Sequence, residues 1–162
     1  MLHRHGSRIG LSERFSIADS TDQISIMKRI FKDRKNPGGS NPEWMDDTPK
    51  KLIGKIGRYK TEELTPELLE RSLSSGRLDP AEQRARAKIL EPYQLYQAML
   101  VDSDLLDFND ILIQCLKLFE EHPGVLQKLE HVLVDEFQDT NLVQFKICSA
   151  CCASLLLVWP SR

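Results

Sequence analysis

The sequence predicts an α/β fold that is predominantly helical and has one buried strand over residues 131–135. Three observations lead to this prediction. Apolar residues recur at helical spacing between residues 24 and 119, and turns rich in glycine and proline separate the helical runs. The third observation is the compact apolar run of residues 131–134, which ends abruptly in charge. A run without polar alternation is typical of an interior strand in a parallel sheet covered on both faces.

The first predicted helix covers roughly residues 22–34. The polar residues Ser20-Thr21-Asp22 are candidates for its N-cap. The apolar positions that follow are spaced three and four residues apart: Ile24, Met27, Ile30 and Phe31. Residues 36–42 combine Gly, Pro and Asn in one short stretch, which predicts a loop after this helix.

Three further helices are predicted near residues 48–59, 66–75 and 80–101. The second is opened by Thr65-Pro66 and the third by Asp79-Pro80. Proline is favourable just inside a helix start because its missing N–H would have no partner within the helix. The middle of the chain is therefore predicted to be an all-α module.

A fifth helix is predicted after Leu106. Its apolar residues form a stripe along one face: Phe108, Ile111, Leu112, Cys115, Leu116 and Phe119. Asp107 and Asp110 have the spacing of a capping box at its start. A turn at residues 121–124 then leads through a short helical segment to the predicted strand.

The 162 residues are 41% hydrophobic and 28% charged, which is the composition and size of about one globular domain. The charge is uneven. Residues 1–60 hold 13 Lys/Arg against 7 Asp/Glu, and residues 61–162 hold 9 against 17. The basic N-terminal portion suits a nucleic-acid surface, but solvated helix faces produce the same asymmetry.

Neither a secretion signal nor a membrane anchor is expected. The first six residues are polar as a whole and no apolar stretch of a signal peptide's length follows them. The longest apolar run, at residues 153–159, is far shorter than the ~20 residues needed to span a bilayer. We therefore expect an intracellular protein. Cys148, Cys151 and Cys152 form a C-x-x-C-C cluster, but a zinc site would need further ligands at suitable spacing, so no metal site is predicted there.

The functional prediction depends on Asp135 and Glu136. The carboxyl end of a strand is where ligands bind in open α/β sheets, so we expect both side chains at the mouth of a buried sheet. A nucleoside triphosphatase needs one carboxylate for hydrated Mg²⁺ and another for the attacking water. We assign Asp135 to the magnesium and the longer Glu136 to the water. Taken alone the pair is weak evidence, because acidic residues also end strands and cap helices.

Three segments resemble superfamily 1 DNA helicases of the UvrD/PcrA/Rep kind. Residues 135–141, Asp-Glu-Phe-Gln-Asp-Thr-Asn, together with Gln144, are similar to motif II of that family. Residues 106–112, Leu-Asp-Phe-Asn-Asp-Ile-Leu, are similar to the element that precedes motif II, and residues 15–23 resemble the lead-in to a helical insertion. The resemblance spans roughly residues 8–147 and is greatest to eukaryotic, fungal-type members.

The resemblance implies a partial RecA-like P-loop NTPase domain with a mostly α-helical insertion. It divides the chain into a remnant of the first motor domain core at 1–20, a helical insertion subdomain at 21–105, motor domain core with motif II at 106–147, and an atypical tail at 148–162. That tail is expected to form a helix and strand of its own or to reflect a misread gene end.

The resemblance also implies a function, which is ATP-dependent movement 3′ to 5′ on single-stranded DNA. ATP is the implied substrate, Mg²⁺ the cofactor bound by Asp135, and single-stranded and junction DNA the partners. Gln138 and Asp139 match positions that couple the nucleotide site to its neighbours. The implied location is intracellular, and the nucleus for a eukaryotic member.

The chain departs from the family at the phosphate-binding loop. That loop reads G-x-x-x-x-G-K-[ST], whereas Gly54-Lys55 is followed by Ile56 and has Pro49 where the first glycine belongs. Nothing after Gln144 resembles the later helicase motifs or a second motor domain. We therefore expect a fragment that by itself neither hydrolyses ATP nor unwinds DNA.

The sequence leaves two other functions open. One is a non-catalytic module that is derived from a helicase fold and binds DNA or a protein partner, which the missing motifs favour. The other is a metal-dependent nuclease built on Asp135, Glu136 and Asp139, which would cleave DNA without a nucleotide.

Overall fold

The computed structural model describes residues 1–37 and 39–158, and this part of the chain is mostly helical with one small parallel sheet. The helices are α1 (Leu2–His5), α2 (Ser20–Arg34), α3 (Pro49–Thr61), α4 (Pro66–Ser74), α5 (Pro80–Asp102), α6 (Phe108–Glu121) and α7 (Leu142–Val158). The strands are β1 (Ser16–Ile17) and β2 (Leu105–Leu106). Short 3-10 turns cover Gly6–Ile9, Glu43–Asp46, Pro123–Leu126 and Phe137–Asp139.

The five predicted helices are all present, and side-chain caps start each one. Asp19 caps α2 one residue earlier than predicted, accepting from the N–H groups of Thr21 and Asp22. The capping box predicted for α6 is confirmed, because Asp107 accepts from the Asp110 N–H at 2.8 Å and Asp110 accepts from the Asp107 N–H at 3.3 Å. The remaining caps are Thr48 on α3, Thr65 on α4 and Asp79 on α5.

The sheet pairs β1 with β2 in parallel, in the register Ser16 to Leu105 and Ile17 to Leu106. Two backbone bonds of 2.9 Å extend it, from the Ser16 N–H to the Asp104 carbonyl and from the Ala18 N–H to the Leu106 carbonyl. The chain thus leaves the sheet at residue 18, runs through α2 to α5, and returns beside its point of departure.

Two hydrophobic clusters divide the core. The first lies among the helices of the middle segment and contains Ala18, Met27, Ile30, Trp44, Leu52, Ile56, Leu69, Ile89, Tyr93, Tyr96 and Leu100. The second joins the N-terminal residues to α6 and contains Leu2, Ile9, Phe15, Leu106, Leu118, Phe119 and Leu126. α6 also packs against α3 and α7, so this helix lies between the two halves of the molecule.

The prediction of a buried strand at 131–135 is wrong. Residues 131–134 have no regular secondary structure, and Leu133 is 97% exposed. A strand of a parallel sheet needs neighbours that pair with its backbone N–H and C=O groups. Within residues 1–37 and 39–158 the paired strands are β1 and β2, and neither pairs with this run, whose apolar side chains remain largely in solvent.

The predicted tail is helical as far as the structure describes it, because α7 continues to Val158. The remainder of the tail, residues 159–162, lies outside the described residues. Among the described helices, none has the length and apolar character needed to cross a membrane.

Candidate functional site

The predicted site residues lie in an exposed turn, which we call the 135–141 segment. The Glu136 N–H donates to Oδ1 of Asp135 at 2.9 Å, and Nε2 of Gln138 donates to Oε2 of Glu136. Glu136 has a left-handed backbone with φ 47°, and a 3-10 turn follows at Phe137–Asp139. The turn brings Asp135, Glu136, Gln138 and Asp139 together on the surface, where solvent reaches both adjacent carboxylates.

The start of α7 fixes the far end of the 135–141 segment. The Asn141 N–H donates to Oε1 of Gln144, and the Gln144 N–H donates to Oδ1 of Asn141, each at 3.0 Å. This reciprocal pair satisfies two N–H groups that a helix start leaves without partners. The Phe137 and Phe145 rings add a tilted contact with centroids 6.2 Å apart. The Asn and Gln of the motif therefore also have a structural role.

The expectation that Asp135 and Glu136 stand at the mouth of a buried sheet is not met in this chain. They follow an irregular, exposed stretch instead of a strand, because among the described residues no strand pairs with residues 131–134. Their proximity comes from sequence adjacency and the local turn. Their catalytic and magnesium-binding roles, and the coupling roles of Gln138 and Asp139, stay predictions.

The donor set of the 135–141 segment fits magnesium only in part. Within the described residues, no three His, Cys, Asp or Glu side chains are grouped so that they could hold a metal ion. Mg²⁺ commonly takes one or two carboxylates and completes its shell with water and phosphate oxygens. Asp135 can therefore supply a ligand to magnesium that arrives with a nucleotide.

Gly54 and Lys55 lie inside α3 and form no phosphate cradle. Nζ of Lys55 is 2.7 Å from Oδ2 of Asp47, and Nζ of Lys51 is 2.7 Å from Oδ1 of the same carboxylate. The hydrogen bonds from Lys51 and Lys55 lower the pKa of Asp47 to about 2. The lysine of this Gly-Lys pair is thus engaged in an ion pair at the start of α3.

A buried charge cluster, which the sequence analysis missed, joins the middle helices to α6. Nζ of Lys60 lies 2.7 Å from Oδ2 of Asp107 and 2.7 Å from Oδ1 of Asp110, and the Lys60 side chain is 1% exposed. The Tyr96 hydroxyl donates to Oδ2 of Asp107 at 3.2 Å, and Nε2 of Gln97 reaches Oδ1 of Asp110 at 3.4 Å. The cluster thereby connects α3 and α5 to the start of α6.

Burial dominates the electrostatics of this cluster. It raises the pKa of Asp110, and the neighbouring Asp107 raises it further, while the Lys60 ammonium opposes both effects. Burial also raises the pKa of Tyr96, and Asp107 adds to that shift. The lysine is the cation that lets two adjacent carboxylates share a site closed to water.

The spacing along α3 contains a signal for Lys60. Leu52, Ile56 and Lys60 are four residues apart and therefore lie on one helix face, and all three are buried. A lysine on an apolar helix face needs a buried counter-charge. Asp107 and Asp110, at the start of the apolar helix α6, are carboxylates that can supply it.

Comparison with protein-family models matches residues 1–158 to the UvrD/REP helicase N-terminal domain. Among curated proteins, the chain is 34% identical over 149 residues to the ATP-dependent DNA helicase srs2 of Schizosaccharomyces pombe, covering 89% of the chain and 17% of that relative. It is 33% identical over 151 residues to the ATP-dependent DNA helicase PcrA of Bacillus subtilis, covering 91% of the chain and 18% of that relative.

A third relative is DNA helicase II of Haemophilus influenzae, which is 35% identical over 150 residues, or 90% of the chain and 19% of that relative. The chain therefore spans about a fifth of the length of the curated relatives it matches. The fungal and bacterial relatives match at similar identity, so these comparisons do not separate the branches.

Proposed function

Because the chain belongs to the UvrD/REP helicase family, as its motifs predict, we propose that the 135–141 segment supplies the Mg-ATP carboxylates of an ATP-dependent DNA helicase. The proposal rests on the pair of adjacent, solvent-exposed carboxylates inside the stretch matched to the family. The activity proposed for the complete motor is translocation 3′ to 5′ on single-stranded DNA, with ATP as substrate. The site of action is inside the cell, and the nucleus if the source is eukaryotic.

Each residue of the 135–141 segment has a proposed task. Asp135 would hold magnesium, which would neutralise negative charge on the triphosphate. Glu136 orients the attacking water and accepts its proton. Gln138 and Asp139 couple the nucleotide site to its neighbours, and the hydrogen bond from Gln138 to the Glu136 carboxylate supports that role for Gln138.

We propose that residues 21–105 form a helical insertion between motor domain residues 1–20 and 106–147, with a tail at 148–162. Two observations support these boundaries: the β1–β2 pairing at the ends of the middle segment, and the separate hydrophobic clusters. The motor part is proposed to be RecA-like.

Alone, the 162-residue chain is proposed to hydrolyse no ATP. It contains no G-x-x-x-x-G-K-[ST] string, so backbone N–H groups and a lysine that would hold a triphosphate beside Asp135 and Glu136 are missing from this sequence. Steady ATP turnover by the purified chain, stimulated by single-stranded DNA, would contradict this part of the proposal.

A chimera tests the function of the 135–141 segment. Residues 128–145 replace the corresponding segment of full-length Bacillus subtilis PcrA, and DNA-stimulated ATP turnover and strand unwinding are measured. We expect both activities to persist. A chimera that folds but does neither would favour the second candidate, a non-catalytic interaction module, for which the largely exposed Leu133 and the half-exposed Phe137 provide apolar contact surface.

A further inference from the structure

A basic pocket lies between the N-terminal residues and the 3-10 turn at Pro123–Leu126. It has a volume of about 640 Å³ and is lined by His3, Arg4, His5 and Arg8 from one wall and by Gln127 and Lys128 from the other. None of the residues that line it is acidic, and none belongs to the 135–141 segment. The pocket is therefore separate from the proposed nucleotide site.

Among the described residues, the cations of the basic pocket lack a counter-charge. In the part of the chain that the structure describes, no carboxylate lies within 4.0 Å of Arg4, Arg8 or Lys128. Elsewhere many basic side chains are paired, including Arg34 with Glu91 and Arg58 with Glu62. Concentrated, unpaired positive charge in a concave surface attracts anions.

The pKa of His5 is consistent with this concentration of positive charge. It lies below the ordinary value of 6.5, first because desolvation disfavours the charged ring, and then because the cations of Arg8 and Arg4 repel it. An anion bound among these groups would relieve that repulsion.

Buried neighbours hold both walls of the basic pocket in place. Leu2 and Ile9 flank the basic residues of the first wall, and Leu126 adjoins those of the second; all three belong to one hydrophobic cluster. Nε2 of His122 lies 3.2 Å from the Arg8 carbonyl oxygen, which links the walls directly. The His3 ring stacks on Phe15 with centroids 4.2 Å apart. The pocket is thus formed before any ligand arrives, which lowers the entropy cost of binding.

We propose that this pocket binds a phosphate group of a nucleic-acid strand. Arginine pairs with phosphate through two parallel N–H bonds, lysine adds a point charge, and histidine and glutamine side chains add further donors. The volume suits a phosphate with part of its attached nucleoside. The choice of a nucleic acid as the source of the phosphate rests on the proposed function, whereas the phosphate chemistry rests on the pocket itself.

The test measures binding of a fluorescein-labelled oligothymidylate to the full chain by anisotropy, without ATP or magnesium. The Arg4→Gln/Arg8→Gln variant is compared with Arg77→Gln/Arg84→Gln, which removes the same charge from two exposed arginines of the middle helices. We expect Kd to rise about tenfold or more in the pocket variant, the loss expected for one charge-assisted hydrogen bond. We also expect the dependence of log Kd on log salt to weaken by about 0.7 per lost phosphate contact.

A second variant, Lys128→Gln on the opposite wall, must also weaken binding, and far-UV circular dichroism checks that each variant is folded. Equal losses in the pocket and control variants, or no loss in either, would overturn the proposal. Titration with inorganic phosphate separates the two sources of the anion. Binding of phosphate that Arg4→Gln/Arg8→Gln abolishes, without binding of the oligothymidylate, would overturn the assignment to a nucleic acid. Because no ATP is present, failure of the proposed ATP site leaves this result unaffected.

Discussion

Lys60 connects helix α3 to the start of α6 through buried ion pairs. Its ammonium lies between Asp107 and Asp110, and the three side chains are almost closed to water. A buried ion pair is weak evidence of added stability, because desolvation offsets much of the attraction. Loss of one partner is different, since the remaining charge stays buried without compensation.

We expect Lys60→Met to lower the free energy of unfolding by about 3–5 kcal/mol, because two buried carboxylates lose their cation. Lys55→Met is the matched control. Its side chain is 42% exposed and Asp47 keeps Lys51, so a cost below about 1 kcal/mol is expected. Urea unfolding followed by circular dichroism measures both. Similar costs for the two variants would mean that the cluster does not connect the helices as described.

Asp47 predicts a specific pH dependence. Its pKa is about 2 in the folded chain, against an ordinary value of 3.8, so its ionised form stabilises the fold above pH 3.8. That contribution disappears as the pH falls from 3.8 to about 2. The difference in unfolding free energy between the parent and Asp47→Asn is therefore expected to shrink across this window. A difference that stays constant, or grows as the pH falls, would contradict the assignment.

At the scale of elements, the helices could be predicted and the strand could not. A helix satisfies its backbone within one segment, so local signals such as Asp79-Pro80 or the Asp107 cap are sufficient to place it. A strand depends on partners far away in sequence. The residues of the 131–134 run do not themselves indicate whether neighbouring strands exist to pair with it.

The candidate site, too, could be predicted from the sequence only in part. Asp135, Glu136, Gln138 and Asp139 could be singled out because motif similarity is carried by adjacent residues. Their surroundings could not, because a sheet edge is a non-local structure. Lys60 was missed for a related reason, since its partners are 47 and 50 residues further along the chain. The periodicity of α3 marks it as buried but does not identify its carboxylates.

Truncation of two leucines distinguishes the observed loop from the predicted strand. Leu133→Ala is expected to change the free energy of unfolding by less than about 0.5 kcal/mol, because the side chain is 97% exposed. Leu118→Ala, at 0% exposure in α6, is expected to cost about 2–5 kcal/mol. Chemical denaturation of the two variants provides the comparison. If Leu133→Ala lowered the free energy of unfolding by several kcal/mol, the side chain would be buried, as the predicted strand requires.

At the scale of the whole molecule, apolar side chains concentrate on the surface around the 135–141 segment. The exposed members are Leu133, Val134, Phe137, Leu142 and Phe145. Exposed apolar clusters and unpaired extended backbone promote association between chains. We therefore expect poor solubility of the isolated chain, because these apolar side chains are exposed.

Self-association should respond to one charge added to the exposed apolar run at 131–134. Leu133→Lys is expected to reduce the apparent mass in light scattering at micromolar concentration, because it places a charge in the exposed apolar run. Val101→Lys, at another exposed apolar position, adds the same charge elsewhere and should change it little. An equal effect of both variants would indicate that net charge, and not the segment, controls association.

We propose that Glu136 and Asp135 serve Mg-ATP hydrolysis once a phosphate-binding loop is present. ATP turnover by the PcrA chimera carrying residues 128–145 measures this role. We predict that Glu136→Gln lowers DNA-stimulated turnover by about 10²–10⁴-fold, as expected for loss of a general base, while Glu130→Gln, an exposed carboxylate in the same graft, leaves it unchanged. Undiminished turnover in the Glu136→Gln chimera would contradict the claim.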